Sequence, residues 1–223
     1  MLWSFGGQEV SESGRVALNS KATRVALEYF AELSAVGLAD VFDWTHPGNN
    51  DAYLAGQIAM TQNPSSIYLG ARQTDPTLAD VTTHHPLPAG PAGQFQLPEI
   101  DSLAIFQHSP DPVAAADWIE FVATGPVMVE RAAESLAFHA PPVASLDDDP
   151  AMPWNTDERL KGLSSTAAEG RMPGWPLAPS NEAGLVYDNH SIIKMFKAVG
   201  TRSMTPDQAV ETATEELVRV YET

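Results

Sequence analysis

Cysteine is absent from the 223 residues, which removes disulfides, thiol nucleophiles and cysteine metal ligands together. Basic residues are few: 12 Lys and Arg stand against 29 Asp and Glu, a formal net charge of -17. They form no cluster, so the chain offers nothing to track a phosphate backbone, and a nucleic-acid partner is not expected. The acidic surplus serves solubility and disfavours anionic ligands, leaving neutral and cationic ones open. No run of about 18 apolar residues occurs, so nothing reads as a membrane span. The opening, Met1-Leu2-Trp3-Ser4-Phe5-Gly6-Gly7, has neither the basic nor the apolar region of a signal peptide, and reads as the start of a fragment.

What is present is ordinary globular material. Hydrophobic residues make up 43% and charged residues 18%, enough apolar content for a core in one large domain or two small ones. The spacing predicts a helix over about 20–36, capped by Asn19 or Ser20, with Val25, Ala26, Tyr29, Phe30, Leu33 and Val36 on its buried face and Gly37 in the left-handed position beyond it. A short helical stretch is expected at 51–55 and a buried strand at 56–61. Asn63-Pro64 reads as a cap with proline opening the next helix. Residues 81–98 are too rich in proline and glycine for a regular element. A strand is expected at 102–106, then a helix from Asp111-Pro112 burying Val113, Ala116, Ile119 and Val122, and a second helix from Gly125-Pro126 to about Glu134. The irregular stretch 141–179 holds one short helix near 157–163. A helix over about 189–199 follows. Thr205-Pro206-Asp207-Gln208 is a capping-box sequence that starts the last helix. Helices alternating with a few short strands indicate an α/β or α+β protein.

Five segments resemble extracellular solute-binding proteins of ABC importers, the sugar-binding type that includes maltose-binding protein. They are Trp3-Ser4-Phe5-Gly6-Gly7 with the helix ending Phe30-Ala31-Glu32-Leu33; Ala52-Tyr53-Leu54-Ala55-Gly56-Gln57-Ile58-Ala59-Met60-Thr61; the crossing Leu87 to Gly93; Ala114 to Val122; and the tail Thr205 to Leu217. The resemblance implies an α/β, periplasmic-binding-protein-like two-lobed fold of type II with an incomplete first lobe. Residues 1–100 and 146–223 would form the second lobe, and 101–145 the returning segment of the first. It also implies a carrier without catalysis or cofactor, monomeric at full length and periplasmic or extracellular. Such a carrier closes on a saccharide or polyol and hands it to ABC permease transmembrane subunits.

Sugar sites need flat aromatic faces beside amide, hydroxyl or carboxylate groups. Candidate ligand contacts are Asn63, Ser66 and Tyr68 after the 56–61 segment; Tyr187 and Asn189, where Asp188 or Asn189 reads equally as a helix cap; and Trp154 and Trp175 in the proline-rich stretch. Tyr68 reads equally as core. His84-His85 lacks metal-ligand spacing, and Asp147-Asp148-Asp149 reads as a solvated turn. No Gly-x-Ser-x-Gly, phosphate-loop or dinucleotide pattern occurs. The alternative to a carrier is a carbohydrate-active enzyme using a carboxylate pair, whose geometry is tertiary and leaves no mark in sequence.

Overall fold

The computed structural model describes residues 1–38, 40–45, 47–164 and 170–222. Its helices are α1 (Lys21–Ala35), α2 (Gly48–Leu54), α3 (Ser66–Thr74), α4 (Pro76–Val81), α5 (Pro112–Val122), α6 (Gly125–Glu134), α7 (Pro153–Thr156), α8 (Asn181–Asp188), α9 (Ser191–Gly200) and α10 (Pro206–Tyr221). Among the described residues, extended segments meet only at three isolated bridges: Val10 with Val16, Gly90 with Gly93, and Gln96 with Gly170. The chain divides into two compact units, Met1–Thr45 with Leu87–Leu97 and Glu169–Thr223, and His46–Pro86 with Pro98–Ala168.

The first unit is held by helix packing. Leu27 of α1, Val186 of α8, Met195 and Val199 of α9, and Val210 and Leu217 of α10 share one core with Leu2 and Leu18. Leu18, Leu27 and Leu217 are fully enclosed, each stabilising the unit by about 1.5–3 kcal/mol relative to exposure. The helix starts follow their sequence signals. Ser20 Oγ accepts the Thr23 N–H at 3.1 Å. At α10 the capping box closes both ways: Thr205 Oγ1 accepts the Gln208 N–H at 3.3 Å, and Gln208 Oε1 accepts the Thr205 N–H at 3.0 Å. An ion pair from Arg24 to Asp207 joins α1 to the first turn of α10.

Three expectations for this unit are corrected. The buried row of α1 is Thr23, Ala26 and Leu27, whereas Tyr29, Leu33 and Val36 are exposed. The helix carries two apolar rows, and the row that meets α9 and α10 is the one covered. Gly37 does not take a positive φ, because the Val36 N–H closes the last turn on Leu33 O and no left-handed residue is needed. The last two helices are preceded by an unexpected one, α8, capped by Ser180. The N-cap of α9 is His190 in the left-handed region (φ 58°), so neither Asp188 nor Asn189 caps it.

The second unit has two smaller apolar clusters. One joins Val129 and Ala132 of α6 to Ala137, Met152 and Trp154. The other joins Tyr68 and Ala71 of α3 to Ala79 of α4 and Leu160. Leu160 lies on a 3-10 turn, Glu158–Leu163, capped by Asp157, where the short helix was expected. A Cβ on Gly162 would strike the His84 carbonyl, so that close approach requires glycine. Asp111 caps α5 and α6 runs to Glu134, as the sequence indicated.

The strands at 56–61 and 102–106 do not form. Gly56 turns the chain after α2 with φ 70°, and Met60 is 86% exposed. Residues 102–106 have no ladder partner, and an apolar run becomes a strand only when another backbone pairs with it. Helix α3 begins at Ser66 rather than at Asn63-Pro64, and the Asn63 amide donates to Asn50 Oδ1 of α2. In α5 only Val122 is buried, and Val113 is 69% exposed, so the expected stripe has nothing packed on most of its length.

Candidate functional site

In the second unit, a polar network is built around Asp157. The Tyr68 hydroxyl donates to Asp157 Oδ2 at 2.7 Å, and the Arg159 N–H donates to Oδ1 at 2.9 Å. The Arg159 guanidinium reaches Asp157 at 3.5 Å and Asp80 at 3.2 Å. Burial opposes ionisation of Asp157. The hydrogen bonds from Tyr68 and Arg159 and the Arg159 charge outweigh it, and hold the carboxyl below its ordinary range. Tyr68 moves the other way: burial first, then its bond to the Asp157 carboxylate, pushes the phenol up. His84 stands edge-on to Tyr68 at 6.0 Å, its Nδ1 3.2 Å from Arg159 O. Burial pulls His84 down, so it stays neutral at pH 7. Beside this network lies a surface pocket of about 490 Å³ lined by Arg72, Leu136, Thr156, Asp157 and Arg159 among others. Its side chains can bind polar groups; of its two carboxylates, Asp157 is tied up in structural bonds, whereas Glu158 is exposed and meets only Lys161 at 3.4 Å.

In the first unit, aromatic rings from three separate segments converge. Trp175 lies 6.4 Å from Trp3 and 5.6 Å from Phe95 between ring centroids. The Arg171 guanidinium stands over Phe95 at 5.4 Å and over Trp175 at 5.7 Å. The three rings are half-buried, so part of each ring surface stays open. Polar atoms lie beside them without partners: Trp3 Nε1, Gln96 Nε2 and Arg171 Nε are enclosed and make no hydrogen bond. The parallel bridge of Gln96 with Gly170, and the Arg171 N–H to Gln96 O bond of 2.8 Å, bring these segments together. Flat, partly open rings are the faces a saccharide ring stacks on, whereas these three donors are enclosed and face away from solvent.

The seven candidate contacts therefore fall in different places. Tyr68 is 4% exposed, its ring in the apolar cluster. Trp154 is 8% exposed, and its Nε1 donates to Asp147 O at 2.9 Å. Asn63 and Ser66 are half-buried at the start of α3, Asn63 bonded to Asn50. Tyr187 and Asn189 are exposed at the C-terminal end of α8. Of the seven, Trp175 alone belongs to the aromatic cluster of the first unit. Sequence reading passed over Trp3, Phe95 and Arg171 as contacts. Trp3 had a signal, since it stands in one of the segments that carry the resemblance, whereas Phe95 and Arg171 had none. Among the described residues no group of three or more His, Asp or Glu side chains is placed to hold a metal ion.

Residues 1–162 match the model of the bacterial extracellular solute-binding protein family. The chain belongs to that family. Its fold is part of the two-lobed one of periplasmic sugar-binding proteins. Maltose-bound MalE3 of T. maritima superposes with a TM-score of 0.75 at 20% identity, covering 97% of this chain and 55% of that one. An assigned oligosaccharide periplasmic-binding protein from Synechococcus sp. MITs9220 superposes with a TM-score of 0.62 at 17% identity, covering 99% of this chain and 57% of that one. The chain thus spans a little over half the length of the solved structures it matches. No curated protein matches it. Among the described residues no helix is long and apolar enough to cross a membrane.

Proposed function

We propose that the chain is the solute-binding component of an ABC importer, capturing a neutral saccharide or polyol by cleft closure for delivery to the transmembrane permease subunits. The aromatic cluster of Trp3, Phe95 and Trp175 carries this reading, because its half-buried rings suit stacking on a sugar ring. The maltose bound to the T. maritima neighbour supports the same ligand class. In this reading residues 1–100 and 146–223 serve the second lobe and 101–145 return to the first. The carrier works in the periplasm or outside the cell, as a monomer, and releases its ligand unchanged. A carbohydrate-active enzyme would instead consume the sugar.

A thermal-shift screen against sugars, polyols, amino acids and organic anions tests the ligand class, since a ligand that binds only the native state raises the melting temperature. Stabilisation by a sugar or polyol that Trp175→Ala abolishes supports the reading. Stabilisation by amino acids or anions alone overturns it, and chemical conversion of the sugar points to the enzyme.

A further inference from the structure

Glu9 is 6% exposed, deeper than any other acid among the described residues, and no ion pair there includes it. Its Oε2 is enclosed without a hydrogen-bond partner. Beyond burial, the group that acts on its carboxyl is the Gly174 backbone. Tyr221, at the end of α10, presents a hydroxyl that is likewise enclosed and unpartnered, and Glu182 of α8 acts on that same phenol. The 171–175 loop contributes the Gly174 N–H, while Arg171 of that loop turns its guanidinium over Phe95 and Trp175. Gly174 is wedged at this point with φ 85°. A Cβ there would come within 2.8 Å of the Ala183 Cβ and 3.7 Å of the Tyr221 hydroxyl, so this close approach to α8 and α10 requires glycine.

An unpaired carboxylate enclosed in this way carries a desolvation cost that a neutral acid avoids. We infer that Glu9 is a protonation-sensitive latch between the loop carrying Trp175 and the end of α10, and that losing its proton loosens that loop. Two directions agree with the geometry. Burial pushes the Glu9 carboxyl up, with the Gly174 N–H opposing it, and burial with Glu9 and Glu182 pushes Tyr221 up to about 12. An acid raised in the folded state contributes stability that is full below its unfolded value, about pH 4.3, and is lost as pH rises through the folded value. The inference concerns the fold alone and is independent of the ligand reading.

Glu9→Gln keeps the shape and removes the titration. Its expected signature is a melting temperature near that of the wild type at pH 5 and higher by about 2–4 °C at pH 8. At pH 8 the Gly174 and Trp175 amides should also exchange faster in the wild type than in Glu9→Gln. The carboxyl carbon of Glu9 in the unsubstituted protein, followed by NMR, should titrate above the range of the exposed glutamates, a reading that does not need the variant to fold. Titration of Glu9 within the ordinary range overturns the latch. So does a variant no more stable than the wild type at pH 8.

Discussion

The Tyr68 hydroxyl donates to Asp157 across 89 positions of sequence, at 2.7 Å, and so ties α3 to the cap of the 3-10 turn Glu158–Leu163. The same carboxylate accepts from the Arg159 N–H, and is thereby both a cap and a tertiary link. Tyr68→Phe removes one of these bonds while leaving the ring in place. Hydrogen bonds to charged groups contribute about 1.5–3 kcal/mol, so the variant should lose about that much at pH 7. The depressed Asp157 gives stability present above its unfolded value, about pH 3.9, and lost as pH falls through the lower folded value. Urea midpoints at pH 7 and pH 3 should show the gap between wild type and variant closing in acid. An equal gap at both pH values would mean the ionised carboxylate is not what the phenol holds.

Tyr68 and Tyr187 read alike in sequence, and the structure separates them. Tyr68 is 4% exposed and Tyr187 is 52% exposed. Tyr68→Ala should destabilise by about 3–5 kcal/mol, the cost of deleting a large core side chain. Tyr187→Ala should change stability by about 0.5 kcal/mol or less, as for a surface site. Equilibrium denaturation of both variants decides it. Comparable losses would mean that Tyr187 is covered in the working protein.

The features legible in sequence were those with local causes. The caps Ser20, Asp111 and Thr205 are read from a few neighbouring residues, and all three appear with their hydrogen bonds. Two local readings failed, Gly37 beyond α1 and the cap at Asp188 or Asn189, and the larger errors concern what lies across space. Helix α1 carries two apolar rows, and only the positions of α9 and α10 decide which is buried. The 102–106 run has strand composition, but pairing depends on a distant backbone. The candidate site shows the same limit. Trp175 could be named from its loop, whereas Phe95 and Arg171 gain meaning only where three segments converge.

The capping box at α10 permits a clean measurement. Thr205→Ala breaks the Gln208 N–H bond to the hydroxyl and leaves the backbone N–H of residue 205 to donate to Gln208 Oε1. A loss of about 1 kcal/mol is expected. Because α10 supplies Ala209, Val210, Ala213 and Leu217 to the core, its fraying should register in the global unfolding midpoint. A variant that unfolds at the wild-type midpoint would show that the helix start is held by the Arg24–Asp207 pair instead.

The last prediction concerns residues 99–122. Ile100 is 57% exposed, Leu103 54% and Phe106 72%, and in α5 Trp118 is 56% and Phe121 60% exposed. Residues 102–106 have apolar side chains on both faces, as a strand in the interior of a sheet does, yet they lie in no ladder among the described residues. Exposed apolar surface on this scale marks a contact site, and unbonded amides exchange at close to the free rate. The proposed lobe assignment supplies the reason, because 101–145 would there pack on the first lobe rather than on its own unit. For these 223 residues alone, hydrogen exchange should leave the amides of 99–106 unprotected and those of α5 weakly protected. The amides of α9 and α10, around the enclosed Val210 and Leu217, should be the slowest. Adding the closing saccharide should change this contrast little, since a ligand does not supply a strand partner. Strong, uniform protection of both regions in a monomer would show that the 101–145 segment completes its own packing, and would remove the lobe assignment with it.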